Sequence, residues 1–66
     1  MKIRFTKDVL VEVQKIRLFE VWDKQYRRWD ELIVEAISYN GKNATIYTAE
    51  RDLIEEVPTD SFEVIT

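Results

Sequence analysis

The side chains that most often carry out catalysis are missing from this sequence. It contains no histidine and no cysteine, so neither a Ser-His-Asp triad nor a Cys-His pair can be assembled. Adjacent carboxylates are present at Asp30-Glu31 and Glu55-Glu56. Neighbouring residues on a strand point to opposite faces, however, and cannot converge on one substrate bond. We therefore expect no catalytic residues and no enzymatic activity.

The remaining acidic side chains do not form a recognisable ion site. Glu50, Asp52, Glu55 and Glu56 lack the Asp-x-Asp-x-Asp-Gly order of a calcium loop. The absence of cysteine and histidine excludes a zinc site built from them, and a single glycine excludes a glycine-rich phosphate loop. We expect no metal and no cofactor, and we interpret these carboxylates as solvated surface charge.

One segment combines aromatic and basic residues densely. It reads Trp22-Asp23-Lys24-Gln25-Tyr26-Arg27-Arg28-Trp29. Trp, Tyr and Arg are enriched at the energetic centres of protein interfaces. Aromatic residues interleaved with cations also bind single-stranded nucleic acid. A third interpretation places the aromatic rings in the core, with the stems of the basic side chains covering them.

A strand through this segment determines which side chains share a face. Alternation places Trp22, Lys24, Tyr26 and Arg28 on one side. Trp29 is offset by one residue, and we expect it to face the core. The sequence therefore predicts a partner-binding face formed by the first four residues, with another protein as the expected partner.

The charge distribution is uneven. Residues 1–33 hold eight Lys and Arg against six Asp and Glu, a net charge of +2, whereas residues 34–66 hold two against seven, a net of −5. The whole chain carries −3. Neutralisation of phosphates supplies most of the affinity for nucleic acids, so an acidic protein is less suited to that role. A nucleic-acid binder is the second hypothesis.

Alternating β-branched and polar residues indicate strands over 2–5 and 9–13, followed by a return strand at 44–48 and a last strand at 62–65. Asn40-Gly41 lies between two such runs. Because a type I′ turn needs two residues with positive φ, this pair predicts a type I′ hairpin.

Two stretches are compatible with more than one structure. Residues 18–37 fit two strands, but an apolar stripe and opposite charges four residues apart also fit a helix. The abundance of Val, Ile, Trp and Tyr favours strands. Thr48 is suited to capping a short helix over 49–57, and the same stretch also fits a connection into a strand at 53–57.

The end of the chain resembles that of an SH3-like domain. In Val57-Pro58-Thr59-Asp60-Ser61-Phe62, a strand is followed by a Pro-led turn and an aromatic residue. Arg28-Trp29-Asp30-Glu31-Leu32 resembles the segment after the long first loop of that fold, with Trp29 replacing the usual glycine. The resemblance covers roughly residues 26–65 and implies a small barrel. The aromatic motifs that build the proline-peptide groove of signalling SH3 domains are absent.

Together these patterns predict a single domain over residues 1–66, all-β, folded as a five-stranded SH3-like barrel or a partly open antiparallel sheet. The alternative is an α+β fold with a helix at 18–38. The expected function is a non-catalytic docking subunit or inhibitor that binds a protein. No apolar run is long enough to span a membrane, and the absence of cysteine fits a cytoplasmic location. The sequence leaves the oligomeric state open.

Overall fold

The computed structural model describes residues 1–66 as one antiparallel sheet of seven strands. In chain order these are β1 (Lys2–Phe5), β2 (Val9–Lys15), β3 (Glu20–Tyr26), β4 (Glu31–Asn40), β5 (Asn43–Thr48), β6 (Asp52–Pro58) and β7 (Phe62–Val64). Their order across the sheet is β3-β2-β6-β5-β4-β1-β7, which leaves β3 and β7 as the two edges.

The all-β prediction and the open antiparallel sheet are confirmed, and the arrangement is compatible with a small barrel-like fold. The alternative helix at 18–38 is wrong, because this stretch forms β3, a short turn and most of β4. The strand count is seven instead of five. Residues 9–15 and 20–26 pair with each other over seven positions, so the long first connection is itself a hairpin.

Strand β4 links the two halves of the sheet. Its first residues pair with β1, as in Leu32 opposite Ile3, and from Val34 onward it pairs with β5. The register shifts between Val34 and Ala36, so Glu35 is an extra residue that has no partner. A bulge of this kind bends a strand, which allows β4 to take part in both halves.

A second bulge completes the core. Ile54 and Val57 are both fully buried although they are three positions apart, and a regular strand would place residues at this spacing on opposite faces. Between them the register with β5 shifts, and Glu56 adopts a φ of 55°. This bulge turns both apolar side chains inward and leaves Glu55 and Glu56 exposed. The regular alternation assumed for this carboxylate pair is therefore broken.

The β4–β5 hairpin is present, but its turn differs from the predicted type I′. Asn40 pairs with Asn43, so Gly41 and Lys42 are the central residues, and only Gly41 has a positive φ, at 65°. Glycine at the first central position is the pattern of a type II′ turn, which also matches the twist of the flanking strands. The predicted turn is thus displaced by one residue.

The stretch after β5 forms a turn and a strand instead of a helix. The hydroxyl of Thr48 accepts a hydrogen bond from the Asp52 amide at 3.0 Å, so Thr48 caps the turn into β6. At the end of the chain, where the sequence predicted a Pro-led turn, Thr59–Ser61 form one 3₁₀ turn after Pro58. This three-residue segment is the only helical one, and no helix long and apolar enough to cross a membrane is present.

Candidate protein-binding surface

The structure divides the four residues of the predicted binding face. Trp22, Lys24 and Tyr26 alternate along β3, and Arg28 lies in the turn that follows the strand. Tyr26 is only 8% exposed, and its ring stacks on the buried Phe5 with centroids 4.6 Å apart. Tyr26 is therefore part of the core, and the prediction that it lies on a surface was wrong.

Burial also determines the chemistry of Tyr26. Removal of the phenol from water raises its pKa above the usual 10.0, because burial disfavours the charged form, and the nearby carboxylate of Asp52 raises it further. The Lys24 ammonium lies 5.0 Å from the centre of the Tyr26 ring, within the range of a cation–π contact. Lys24 thus covers the one core aromatic residue of β3.

Trp22 remains at the surface, 49% exposed. Trp22 pairs with Val13 of β2, and the ammonium of Lys15, two residues further along β2, lies 5.4 Å from the centre of the indole ring. Lys15 is held in place by Asp52, whose Oδ2 is 2.7 Å from Nζ. This hydrogen bond raises the pKa of Lys15 above 10.5. One side of the Trp22 ring is therefore covered by an anchored cation.

A cavity of about 470 Å³ lies beside Trp22. Leu18 and Trp22 supply its apolar lining, and the β5–β6 turn contributes charged residues of both signs, including Glu50 and Arg51. The cavity is the space between the end of the β2–β3 hairpin and that turn. A side chain entering it would meet the exposed part of the Trp22 ring.

The end of this hairpin carries the most exposed apolar surface of the chain. We call it the hairpin patch, and it consists of Ile16, Leu18, Phe19, Val21 and Trp22, all exposed. Phe19 is 95% exposed. The patch extends over both faces of the hairpin end: Leu18 and Trp22 line the cavity beside Trp22, whereas Ile16, Phe19 and Val21 line a separate depression. Exposed apolar surface of this kind marks interaction sites in soluble domains.

The loop that builds the hairpin patch has an unusual composition. Residues 16–19 connect β2 to β3, and the Leu18 amide donates a hydrogen bond to the Lys15 carbonyl at 3.0 Å. Phe19 then adopts a φ of 53°, a conformation normally given to Gly or Asn. The loop contains none of the usual turn residues. Sequence reasoning missed this site, because no residue in 16–19 indicates a turn.

Trp29 is exposed instead of buried, which corrects the core position predicted for it. It is 56% exposed with a φ of 77°. Its amide donates to the carbonyl of Phe5 at 2.8 Å, which fixes the turn against β1. The guanidinium carbons of Arg28 and Arg4 lie 4.5 and 5.6 Å from the ring centre. Glycine adopts a positive φ without strain, and glycine is the residue expected at this position in an SH3-like pattern.

The charges around Trp29 are balanced. Arg4 binds Glu63 at 2.8 Å, the amide of Arg28 donates to Asp8, and that of Arg27 donates to Asp30. Only the guanidinium of Arg4 is in an ion pair, whereas Asp8 and Asp30 accept from backbone amides and bring one negative charge each beside Arg28 and Arg27. An electrostatic surface for a phosphate backbone needs a local excess of cations, and this surface has none.

Comparisons with known proteins give no relative. No protein-family model, no characterised protein and no solved structure shows a significant match to the chain.

Proposed function

We propose that this protein is a non-catalytic protein-binding module that docks onto its partner through the hairpin patch. The observation that carries the proposal is the exposure of Phe19 together with four apolar neighbours at the end of a hairpin. Aromatic anchors surrounded by smaller apolar contacts are the residues that dominate the energy of protein interfaces.

The conformation of Phe19 supports a role in binding. An L-residue with a large side chain in the left-handed region loses roughly 1–2 kcal/mol compared with the right-handed region. Phe19 gains almost no burial in return, since it is 95% exposed. Strain that folding does not compensate is concentrated at functional sites. A partner that covers Phe19 supplies the missing compensation.

Trp22 connects this surface to the originally predicted face. It is the one member of that face that is aromatic and exposed, and the cavity beside it is open to a partner's side chain. Lys24 lies on the same strand and provides a charged neighbour at the rim, where charges orient a partner more than they add affinity. The proposed interface therefore has an apolar centre and a charged border.

We further propose that the barrel is SH3-like. The features that support this are the hairpin inserted after the first strand, the long β4 shared by two halves of the sheet, and the 3₁₀ turn before β7. The fold by itself does not define a function, since small barrels serve many. The binding assignment depends on the hairpin patch alone.

Nucleic-acid binding is the competing function. The exposed Trp29 and its arginines favour it, whereas the neighbouring carboxylates and the acidic chain oppose it. The two functions differ in salt dependence, because release of counterions makes nucleic-acid affinity fall steeply with salt. An apolar interface responds weakly.

The test is affinity capture with the immobilised protein from an extract of its source organism, quantified by mass spectrometry. Leu18→Ser and Phe19→Ser should each abolish capture of the main protein partner. Ile33→Ser is the matched control, because Ile33 is as exposed as Leu18, at 60% against 62%, and lies on β4. With the purified partner, calorimetry should show at least about a tenfold loss of affinity for each hairpin variant.

Two results would overturn the proposal. One is capture that Leu18→Ser and Phe19→Ser leave unchanged. The other is retention of RNA or DNA in place of protein, with binding that weakens steeply as salt increases.

A further inference from the structure

Strand β3 is an open edge of the sheet. It pairs with β2 on one side and has no strand on the other. No backbone hydrogen bond outside the strand ladders involves residues 20–26, so the outward amides and carbonyls of β3 have no partner within the chain. An edge of this length is a template for another strand.

Two charged residues on one face of this edge form no ion pair. Glu20 and Lys24 are absent from all four ion pairs of the protein, although Lys15, opposite Glu20, is paired with Asp52. Four residues along a strand separate Glu20 and Lys24 by about 13 Å, so they do not neutralise each other. Both lie on the face of β3 that carries Trp22.

We propose that a second copy of this chain pairs antiparallel with β3 about a two-fold axis at Trp22. In this register Glu20 lies opposite Lys24 of the second copy, and the symmetry repeats the pair, giving two complementary contacts. The two Trp22 rings face each other across the axis, where aromatic cross-strand pairs stabilise a sheet. The inference rests on the proposed function, because it names the partner that covers the hairpin patch.

The charges select this register from its neighbours. Paired residues of neighbouring strands have their side chains on the same side of the sheet. The two-fold axis must therefore pass beside a residue that pairs with its own copy, and the possible registers differ in which residue this is. With Asp23 or Lys24 at the axis, each faces its own copy and like charges repel. With Val21 at the axis, Lys24 lies opposite Leu18, in the loop instead of the strand. Among the axes from Val21 to Lys24, only the one at Trp22 pairs oppositely charged residues that both lie on β3, and it does so twice.

Analytical ultracentrifugation with charge exchange tests the proposal. Wild-type protein should sediment as a dimer at concentrations up to roughly 1 mM. Glu20→Lys and Lys24→Glu should each raise the dimer dissociation constant by at least about tenfold, because each replaces two attractive contacts with two repulsive ones. Glu35→Lys is the control, since Glu35 is an exposed acidic residue on β4, and it should leave dimerisation unchanged.

Mixing the two variants provides the decisive comparison. An equimolar mixture of Glu20→Lys and Lys24→Glu should restore the dimer, because each chain then presents two like charges opposite two of the other sign. The double variant should also dimerise. Circular dichroism spectra that match the wild type establish that all variants fold.

A wild-type protein that stays monomeric over this range, or a mixture that does not recover the dimer, overturns the inference. The proposed function is judged separately. If the protein is monomeric and Phe19→Ser still abolishes capture of a different protein, the docking surface stands and only its occupant is wrong. If the dimer forms but the Leu18→Ser and Phe19→Ser variants still capture the same proteins, the self-association is real and the docking of other proteins through the hairpin patch is wrong.

Discussion

Replacement of Phe19 with glycine should make the domain more stable. Phe19 combines a φ of 53° with 95% exposure, so its side chain pays the conformational cost of the left-handed region without packing against the protein. Glycine adopts this conformation as readily as the right-handed one. The substitution removes the strain and deletes almost no buried surface.

The expected gain follows from two opposing effects. Relief of the left-handed conformation contributes roughly 1–2 kcal/mol. The greater freedom of glycine in the unfolded chain offsets about 0.5–1 kcal/mol of this. The net stabilisation is therefore about 0.5–1 kcal/mol. For a domain of this size it raises Tm by roughly 2–8 °C.

The measurement is urea and thermal unfolding followed by circular dichroism at a dilution where the protein is monomeric, so that association does not contribute to stability. Phe19→Ala is the matched variant, since it truncates the ring but keeps the strained Cβ, and it should unfold close to the wild type. Both variants should lose binding. A Phe19→Gly variant less stable than the wild type would show that the ring packs on the protein and compensates the strain at this position.

Four further predictions concern the fold and its stability. Gly41→Ala should lower the free energy of unfolding in urea by about 1–2 kcal/mol. The added Cβ would have no atom within 4 Å, so the whole effect comes from placing alanine at a φ of 65°. An unchanged urea midpoint would contradict the type II′ turn. Trp29→Gly should be more stable than Trp29→Ala by about 1 kcal/mol at its φ of 77°, and the opposite order in paired melts would exclude strain at this position. Tyr26→Ala should cost roughly 3–5 kcal/mol as a core truncation. Folding raises the pKa values of Tyr26 and Lys15, so the free energy of unfolding should be retained below pH 10 and should decline as the pH rises above 10. Tyr26→Phe should lessen this decline. A free energy of unfolding that does not change with pH would contradict the raised pKa values.

The predictable part of the fold lies where local preference and tertiary packing agree. Val11 and Val13 alternate with polar residues and are buried in β2, while Phe62 follows a Pro-led turn and closes the core from β7. These positions need only period-two burial and turn chemistry, both of which are visible in a single sequence.

The core positions that were missed depend on bulges and turns. Ile54 and Val57 violate strand alternation, and only the bulge at Glu56 allows both to be buried. Trp29 was assigned to the core by counting from Tyr26 along one strand, but the strand ends at Tyr26 and the backbone reverses. One residue with positive φ is enough to move a side chain from one face to the other.

The candidate site was predictable only in part. Trp22 was correctly expected to be exposed, but alternation does not explain its exposure, because residues 20–25 are all exposed and Tyr26, on the same face as Trp22, is buried. The hairpin patch was missed because its loop is made from Ile, Arg, Leu and Phe, which individually indicate strand or helix. Exposure of a loop of this kind becomes visible only when the register of Lys15 with Glu20 places the chain reversal at 16–19.

The central claim is that the hairpin patch is the surface that a protein partner covers. Amide hydrogen exchange compares the free protein with its complex, and protection reports which backbone groups are withdrawn from water. We expect added protection over residues 16–25, including the outward amides of β3, and no change in the Trp29 turn or in β7. Protection confined to residues 27–30, or none in the hairpin at saturating partner, would contradict the claim.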